Sequence, residues 1–405
     1  MADKKRVWLV AGSRTPIGSF GKSLRKLKVD QLASHSLQQA IRRAGCSPTA
    51  YEGIILGHGY QTSYTPNTAR FAALNAGLPA SIPAMTVQRQ CGSGMEAAHL
   101  AANEIRLGNS DLMLAGGVES MSTIPYMLPG DLRWSGPISK YVKMAKLGPR
   151  PVVLSIADNG LAPTALIWDM KSVYMSGTAQ RLADTYHVTR QAADAYALRS
   201  QELANKAVQS GRFDLEIDPI QVPNKGFFKR DEHPRATSAE KLAALSPVLK
   251  TRQITAGNSS GINDGACVLV LASTEKVEEI GAQPLAVLVD ECVSGVDPEQ
   301  MGIGPVAAIT KLLERNKLTL QDIDLIEINE AFAAQYLACE KLLGLDREKV
   351  NVNGGAIALG HPIGMSGARL LLTLAHELKL RKLKRGIAAL CIGGGMGIAT
   401  LIEAA

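Results

Sequence analysis

The segment "QRQCGSGMEAAHLAANEI", residues 88–105, sets Cys91 behind a β-type run and at the start of a predicted helix, followed by Gly92, Gly94 and a row of alanines. Unpaired N–H groups and the dipole at a helix start stabilise an anion, so this spacing predicts a thiol drawn down toward the reactive range. The two glycines leave room for a substrate to approach the backbone. The same segment also suits a small buried structural cysteine, because free cysteine is among the most buried residue types. A thiol nucleophile needs a base, and "NGGAIALGHPIGMSGAR", residues 353–369, holds His361 between Gly360 and Pro362. A loop this dense in glycine is specified backbone, and a histidine fixed in it suits a general base; a histidine satisfied by backbone in a tight turn is the other reading. The loop matches neither GxGxxG with a following acidic residue nor GxxxxGK with Ser or Thr, which argues against a dinucleotide or P-loop site.

Two more stretches carry chemistry. "ALCIGGGMG", residues 389–397, ends a strand at Cys391 and opens into three glycines whose N–H groups suit an anion-accepting nest for an oxyanion, unless Cys391 is packing alone. "IEINEAFAAQ", residues 326–335, places Asn329 and Glu330 at a strand-to-helix junction. Asn329 reads either as an N-cap or as a side chain that orients a water or a carbonyl, and Glu330 reads as a capping residue.

The elements that must position these residues alternate. β-branched runs such as "VWLVAG", "GIILGH", "DLMLAGG", "ACVLVLAS", "LAVLVDEC" and "LIEIN" are separated by Ala/Leu-rich amphipathic stretches, the pattern of an α/β fold. "VDQLASHSLQQAIRRAG" has Asp30 in its first turn and Gly45 at its end, as a well-signalled helix should. Residues 122–251 are richer in Pro, Lys and Arg and poor in strand signals, and read as a mostly helical and looped insertion whose long helix has Thr189 as N-cap. An internal echo organises the rest: "CGSGMEAAHLAANEIRLGNSDLMLAGGVESM" matches in type "IGMSGARLLLTLAHELKLRKLKRGIAALCIGGGMGI". Two copies of one unit would bring equivalent helix starts together at a pseudo-twofold axis, making Cys91 and the distant His361 neighbours.

Composition bounds the setting. The 405 residues, 46% hydrophobic and 20% charged, suffice for two or three cores. The six cysteines show no CxxC and no zinc-like spacing, so no metal site and no disulfide framework is expected, and the thiols suit a reducing compartment. No apolar stretch approaches a membrane span and no presequence or peroxisomal address is evident, so a cytoplasmic protein without membrane attachment is expected. The formal net charge of +7 favours anionic partners such as a phosphorylated small molecule, or is merely a basic surface; with 4% aromatics and no Arg/Lys-rich helix, nucleic acid is not expected.

Together, Cys91 in "QCGSGM", "NEAF" at 329–332, "GGAIALGHPIG" at 354–364 and "CIGGGMG" at 391–397, in this order and at these separations, resemble the thiolase family. "RTPIGSFG" near the start, "AGGVESMS" at 115–122, "TAGNSSGINDGA" at 255–266 and "VDPEQMGIGP" at 296–305 extend the resemblance over nearly the whole chain. It implies a five-layered α-β-α-β-α fold from two duplicated halves, residues 1–121 plus 252–282 and residues 283–405, with 122–251 as a loop domain over the CoA site. It implies Cys91 as the nucleophile toward an acyl-CoA thioester and His361 as its base. Cys391 is implied as the acid/base at the substrate α-carbon, Asn329 as the holder of a water that forms one oxyanion hole with His361, and the N–H groups of Cys91 and Gly393 as the other hole. Ser260 and Arg235 match the family's pantetheine and adenine contacts, and Met175, Met301 and Phe332 its acyl and pantetheine pocket. No cofactor is implied, since acetyl-CoA, acetoacetyl-CoA and CoA are substrates.

The chain departs from the family's short-chain biosynthetic pattern in reading "YMS" for "HMG", so Tyr174 replaces a histidine. Leu249 stands where phenylalanine is common, which is expected to widen the pocket, each methylene of space being worth about 0.8 kcal/mol of burial. Residues 122–173 lack the usual cationic tetramer-forming pattern, leaving homodimer and homotetramer open. The expected reaction is condensation of two acetyl-CoA to acetoacetyl-CoA and its reverse. A degradative 3-ketoacyl-CoA thiolase of broader chain length is the nearest alternative, and a non-catalytic acyl-CoA or lipid-binding relative a remote one.

Overall fold

The computed structural model describes residues 5–125, 164–166 and 172–405. Its main sheet contains nine longer strands: β1 (Val7–Arg14), β2 (Gly53–His58), β3 (Ala84–Val87), β4 (Leu112–Ser120), β5 (Asn263–Ser273), β6 (Ala286–Gly295), β7 (Leu325–Ile328), β8 (Arg385–Ile392) and β9 (Met396–Ala404). They run in the order β7-β8-β9-β6-β1-β5-β4-β2-β3. The short β1–β6 pairing at its centre, Val7–Leu9 with Ala286–Leu288, divides it into a first and a second sheet, each a copy of one topology. Outward from β1, the chain pairs antiparallel with β5, then β4, and parallel with β2 and β3. Outward from β6 the pattern repeats: antiparallel β9, antiparallel β8, parallel β7, and a parallel bridge from Ile326 to Val350 in the place of the edge strand. The echo between residues 91–121 and 363–398 is therefore an architectural repeat.

The helices obey the same correspondence: α1 (Val29–Ala44), α2 (Thr68–Asn75) and α3 (Ser93–Arg106) in the first copy answer to α6 (Gly304–Asn316), α7 (Ala333–Leu343) and α8 (Ile363–Arg381) in the second. Between them, the segment expected as an insertion carries α4 (Met175–Thr185) and α5 (Arg190–Gln209), the latter capped by the Thr189 side chain as expected. It also forms two short antiparallel strand pairs, Thr164–Leu166 with Ser172–Tyr174 and Ile220–Val222 with Gly226–Phe228, so it is less free of strands than its composition suggests. α1 ends as its signals predict, at Gly45 with φ +69.

Three apolar clusters separate five layers. α1 and α2 cover one face of the first sheet through Leu32, Leu37, Ala69 and Ala72. α6 and α7 cover the outer face of the second through Ile309, Leu312, Ala334 and Tyr336. α3 and α8 lie between the sheets, and their Met95, Ala98, Ala102, Ala368, Leu371 and Leu372 pack with strand residues of both copies. A helix sandwiched in this way is enclosed around its whole circumference, and α8 is buried at every position from Gly364 to Ala375, with its polar Ser366, Arg369 and Thr373 hydrogen-bonded to Pro362, Glu327 and Glu216.

The two central helices meet backbone to backbone. A Cβ on Gly94 would lie 2.5 Å from the Gly364 carbonyl oxygen, and one on Gly367 would lie 2.5 Å from the Met95 nitrogen. Only glycine permits this approach. The "RTP" stretch acquires a purpose as well. Arg14, fully buried at the end of β1, pairs with Glu216 (2.7 Å) and Asp231 (2.8 Å) and so ties the insertion to the sheet. Removing one partner of such a buried pair typically costs about 3–5 kcal/mol.

Candidate active site

Cys91 sits two residues before α3, whose N-cap is Gly92. Gln90 adopts φ +46, a left-handed conformation that costs a non-glycine residue of order 1–3 kcal/mol. Ser93 pins this turn: its Oγ accepts from the Arg89 N–H (2.8 Å) and donates to the Gln90 carbonyl (2.6 Å). The N–H groups of Gly393 and of Cys91 itself point at the sulfur, yet burial dominates, and with help from Glu119 it pushes the thiol up to about 11. The expectation of a lowered thiol pKa is thus corrected. Desolvation of the thiolate outweighs the helix-start donors.

His361 follows Gly360, whose φ of +102 and contact with Asn263 leave no room for a side chain. The Asn263 Oδ1 accepts the His361 backbone N–H (3.0 Å). His361 Nδ1 lies 2.6 Å from Ser366 Oγ, and the single Ser366 hydroxyl proton is donated to the Pro362 carbonyl (2.8 Å). Ser366 Oγ therefore accepts from Nδ1–H, which assigns the tautomer and leaves Nε2 as a bare lone pair. Burial, with the Arg369 charge, lowers the imidazole to about 4, so it is neutral at pH 7 and free to take a proton.

Asn329 is fully buried, with Nδ2 3.5 Å from His361 Nε2 and an Oδ1 that accepts from no described group. It is not an N-cap, because α7 begins only at Ala333 behind Phe332; nor does Glu330 cap that helix. Cys391, 2% exposed at the end of β8, packs with Met301 and Ala331, flanked by Met175 and Phe332. Burial and the neighbouring Cys91 hold its thiol well above the ordinary range. The expected residues are thus joined in two groups, Asn329 with His361 and Cys391 with Cys91, Met175, Met301 and Phe332, and the Gly94–Gly364 contact brings together the helix starts that follow Cys91 and His361.

The expected CoA contacts lie outward. Ser260 is half-buried and donates its N–H to Ala331 (3.0 Å), next to the apolar pocket. Arg235 is exposed, donates to the Ala256 carbonyl (3.2 Å), and borders cavities of about 260 Å³ and 380 Å³. Leu249 occupies a left-handed turn (φ +46) with 48% of its surface exposed. Tyr174 ends a short strand, and its side chain lies outside the described residues, as do residues 126–163 of the segment in which an oligomer-forming loop was sought. Sequence reasoning missed Ser366, five residues beyond His361, and Asn263 of "GIND". It also missed Glu119, whose buried carboxylate accepts from the N–H groups of Gly59 (3.0 Å), Tyr60 (3.3 Å) and Gly364 (3.0 Å) and ties the start of α8 to the end of β2. All three stood in quoted motifs, but a positioning role leaves no composition signal.

With Cys91 at about 11 and His361 at about 4, both groups are neutral at pH 7. Iodoacetamide labelling of Cys91, followed by mass spectrometry, is therefore expected to climb by up to about tenfold per pH unit from pH 7 to 9 without levelling off. A plateau near pH 7 would show a preformed thiolate and contradict this electrostatic picture.

A thiol and a neutral imidazole on two helix starts that touch, a second buried thiol near the first, and N–H donors aimed at the first sulfur suit an acyl-transferring enzyme that works through a covalent thioester. The family models for the thiolase N-terminal and C-terminal domains match residues 7–275 and 282–404. The acetyl-CoA acetyltransferases of Cupriavidus necator and Syntrophomonas wolfei are each 44% identical to this chain, the alignments covering 98% and 99% of it and 99% of each relative. Among solved structures, the acetyl-CoA acetyltransferase of Bacillus anthracis superposes with a TM-score of 0.92 at 47% identity over the full length of both chains. Human mitochondrial 3-ketoacyl-CoA thiolase in complex with CoA superposes with a TM-score of 0.91 at 39% identity, covering 100% of this chain and 99% of that one. The chain belongs to the thiolase family and is a thiolase enzyme. Among the described residues no helix is long and apolar enough to cross a membrane.

Proposed function

We propose that this thiolase acts on short acyl groups, interconverting two acetyl-CoA with acetoacetyl-CoA and CoA in a cytoplasm, and that Cys91, His361, Cys391 and Asn329 perform the chemistry. The observation that carries this reading is the meeting of the α3 and α8 starts at Gly94 and Gly364, three residues beyond Cys91 and His361 respectively. In the cleavage direction, the Cys91 proton passes to His361 Nε2 as the sulfur attacks the keto carbon of acetoacetyl-CoA. The oxygen charge that develops on that carbon falls to the N–H groups of Cys91 and Gly393. The bond between the α-carbon and the keto carbon then breaks, and the departing enolate takes the Cys391 proton to become acetyl-CoA. Its oxygen is stabilised by protonated His361 and by a water held at Asn329.

In the second half, CoA gives its thiol proton to the Cys391 thiolate and attacks acetyl-Cys91; the Cys91 sulfur leaves and recovers its proton from His361. Every group ends as it began, and condensation is the reverse sequence. A raised thiol suits Cys391 as the acid that meets the enolate, and a neutral imidazole suits His361 as the first base. CoA is proposed to lie along Ser260 and Arg235, with the pantetheine end against Met301 and Phe332. We also propose that the enzyme works as a homo-oligomer.

The preference for short acyl groups is supported by the crowding of Cys391 by Met175, Met301 and Phe332. Turnover of 3-ketoacyl-CoA substrates of increasing length tests it. Activity is expected to be highest on acetoacetyl-CoA and to fall by about tenfold or more for chains several methylenes longer. Equal or rising turnover with length would favour the degradative, broad-range reading, which the resemblance to the human 3-ketoacyl-CoA thiolase keeps in view.

A further inference from the structure

We propose that Glu330 is the positioning residue for Asn329, and that α5 of the inserted segment acts on the reaction through it; the proposal rests on the thiolase reading above. Asn329 is weakly held by its own side chain. Its Oδ1 accepts from no described group, and its Nδ2 has a single long contact, 3.5 Å, with His361. A buried amide left free to serve a reaction must be oriented by its chain neighbours. Both neighbours are fastened to one network. Glu330, fully buried, accepts at Oε1 from Tyr196 Oη (2.8 Å) and Asn351 Nδ2 (3.1 Å), and at Oε2 from Ser200 Oγ (2.7 Å) and the Ile357 N–H (3.1 Å). On the other side, Asn351 accepts the Ile328 N–H (2.9 Å) and donates to the Ile328 carbonyl (2.9 Å).

The network reaches beyond the junction. Tyr196 and Ser200 both lie on α5, and Tyr196 stacks on Tyr336 of α7 with ring centroids 4.0 Å apart. A Cβ on Gly355 would lie 2.3 Å from the Glu330 carboxyl carbon, so the carboxylate rests flush against the loop that leads to His361. His361 itself has independent anchors in Asn263 and Ser366. Loss of the carboxylate should therefore release Asn329 while leaving His361 in place. Glu330→Gln does this with little change of shape. Either placement of the amide turns its NH2 toward a donor that cannot reverse, the Ile357 N–H on one side or Asn351 Nδ2 on the other.

The experiment uses the full chain and three readouts: exchange of acetyl-CoA α-protons in heavy water, steady-state cleavage of acetoacetyl-CoA, and iodoacetamide labelling of Cys91. For Glu330→Gln, exchange and kcat are expected to fall on the order of 10–100-fold, while KM and the labelling rate stay within about threefold of the parent. The double variant Tyr196→Phe with Ser200→Ala, which removes two donors but keeps the carboxylate, is expected to show a smaller loss in the same two readouts, and it decides the matter if Glu330→Gln does not fold. Exchange and kcat within about twofold of the parent in a folded variant would overturn the proposal. So would a labelling rate that falls in parallel with exchange, because that marks collapse of the whole site. A parent protein that neither exchanges nor cleaves overturns the thiolase reading and this inference together; an active parent with an indifferent variant overturns this inference alone.

Discussion

Replacing Cys91 with alanine is expected to abolish acetylation of the protein by acetyl-CoA and to lower acetoacetyl-CoA cleavage by roughly 10⁴-fold or more, the scale of loss when a covalent nucleophile is removed. The physical reason is that the Gly393 N–H is aimed at the Cys91 sulfur, whereas Cys267, Cys292, Cys339 and Cys391 are buried. The structural cost should be small, since Cys91 lies outside α3. Mass spectrometry of protein incubated with acetyl-CoA and then digested checks the result directly. An acetyl adduct of equal yield on another residue of the alanine variant would refute the assignment.

The second large effect separates the two thiols. Cys391→Ala is expected to accept the acetyl group on Cys91 at a rate within about tenfold of the parent, but to lose α-proton exchange and carbon–carbon bond formation by about 10²–10⁴-fold, the usual scale for a positioned acid or base. The variant should therefore accumulate acetyl-enzyme when given acetyl-CoA alone. Cys391 is enclosed by Met301 and Ala331, so loss of one sulfur leaves a small void and a modest stability penalty, about 1 kcal/mol. A Cys391→Ala protein that condenses acetyl-CoA at the parental rate would remove Cys391 from the mechanism.

The sequence made the architecture legible because each repeat keeps the same order of strand, helix start and glycine pair. "GIILGH" coincides with β2, and the glycines that open α3 and α8 are those that touch. Less visible were features decided by tertiary surroundings. Asn329 looks like an N-cap because Asn is a favoured capping residue, but the chain continues as an irregular junction to Phe332, held by Glu330 and Asn351 rather than by α7. The Cys91 thiol was misjudged in sign because helix-start donors are local and readable, whereas burial is imposed by residues far along the chain. Ser366 is one of many serines in the chain; what distinguishes it is a 2.6 Å contact, which no pattern of residue types records.

The contact between Gly94 and Gly364 also bears on how the enzyme comes into being during synthesis. Cys91 leaves the ribosome long before His361, and domains tend to fold in the order in which they emerge. Until the second copy has docked its helix onto the first, the nascent chain carries a cysteine without its base and without the Gly393 N–H. On the proposed assignment of roles, acyl transfer is expected to begin only when the last quarter of the chain has been made and seated, so translation itself would set the moment at which the nucleophile is armed.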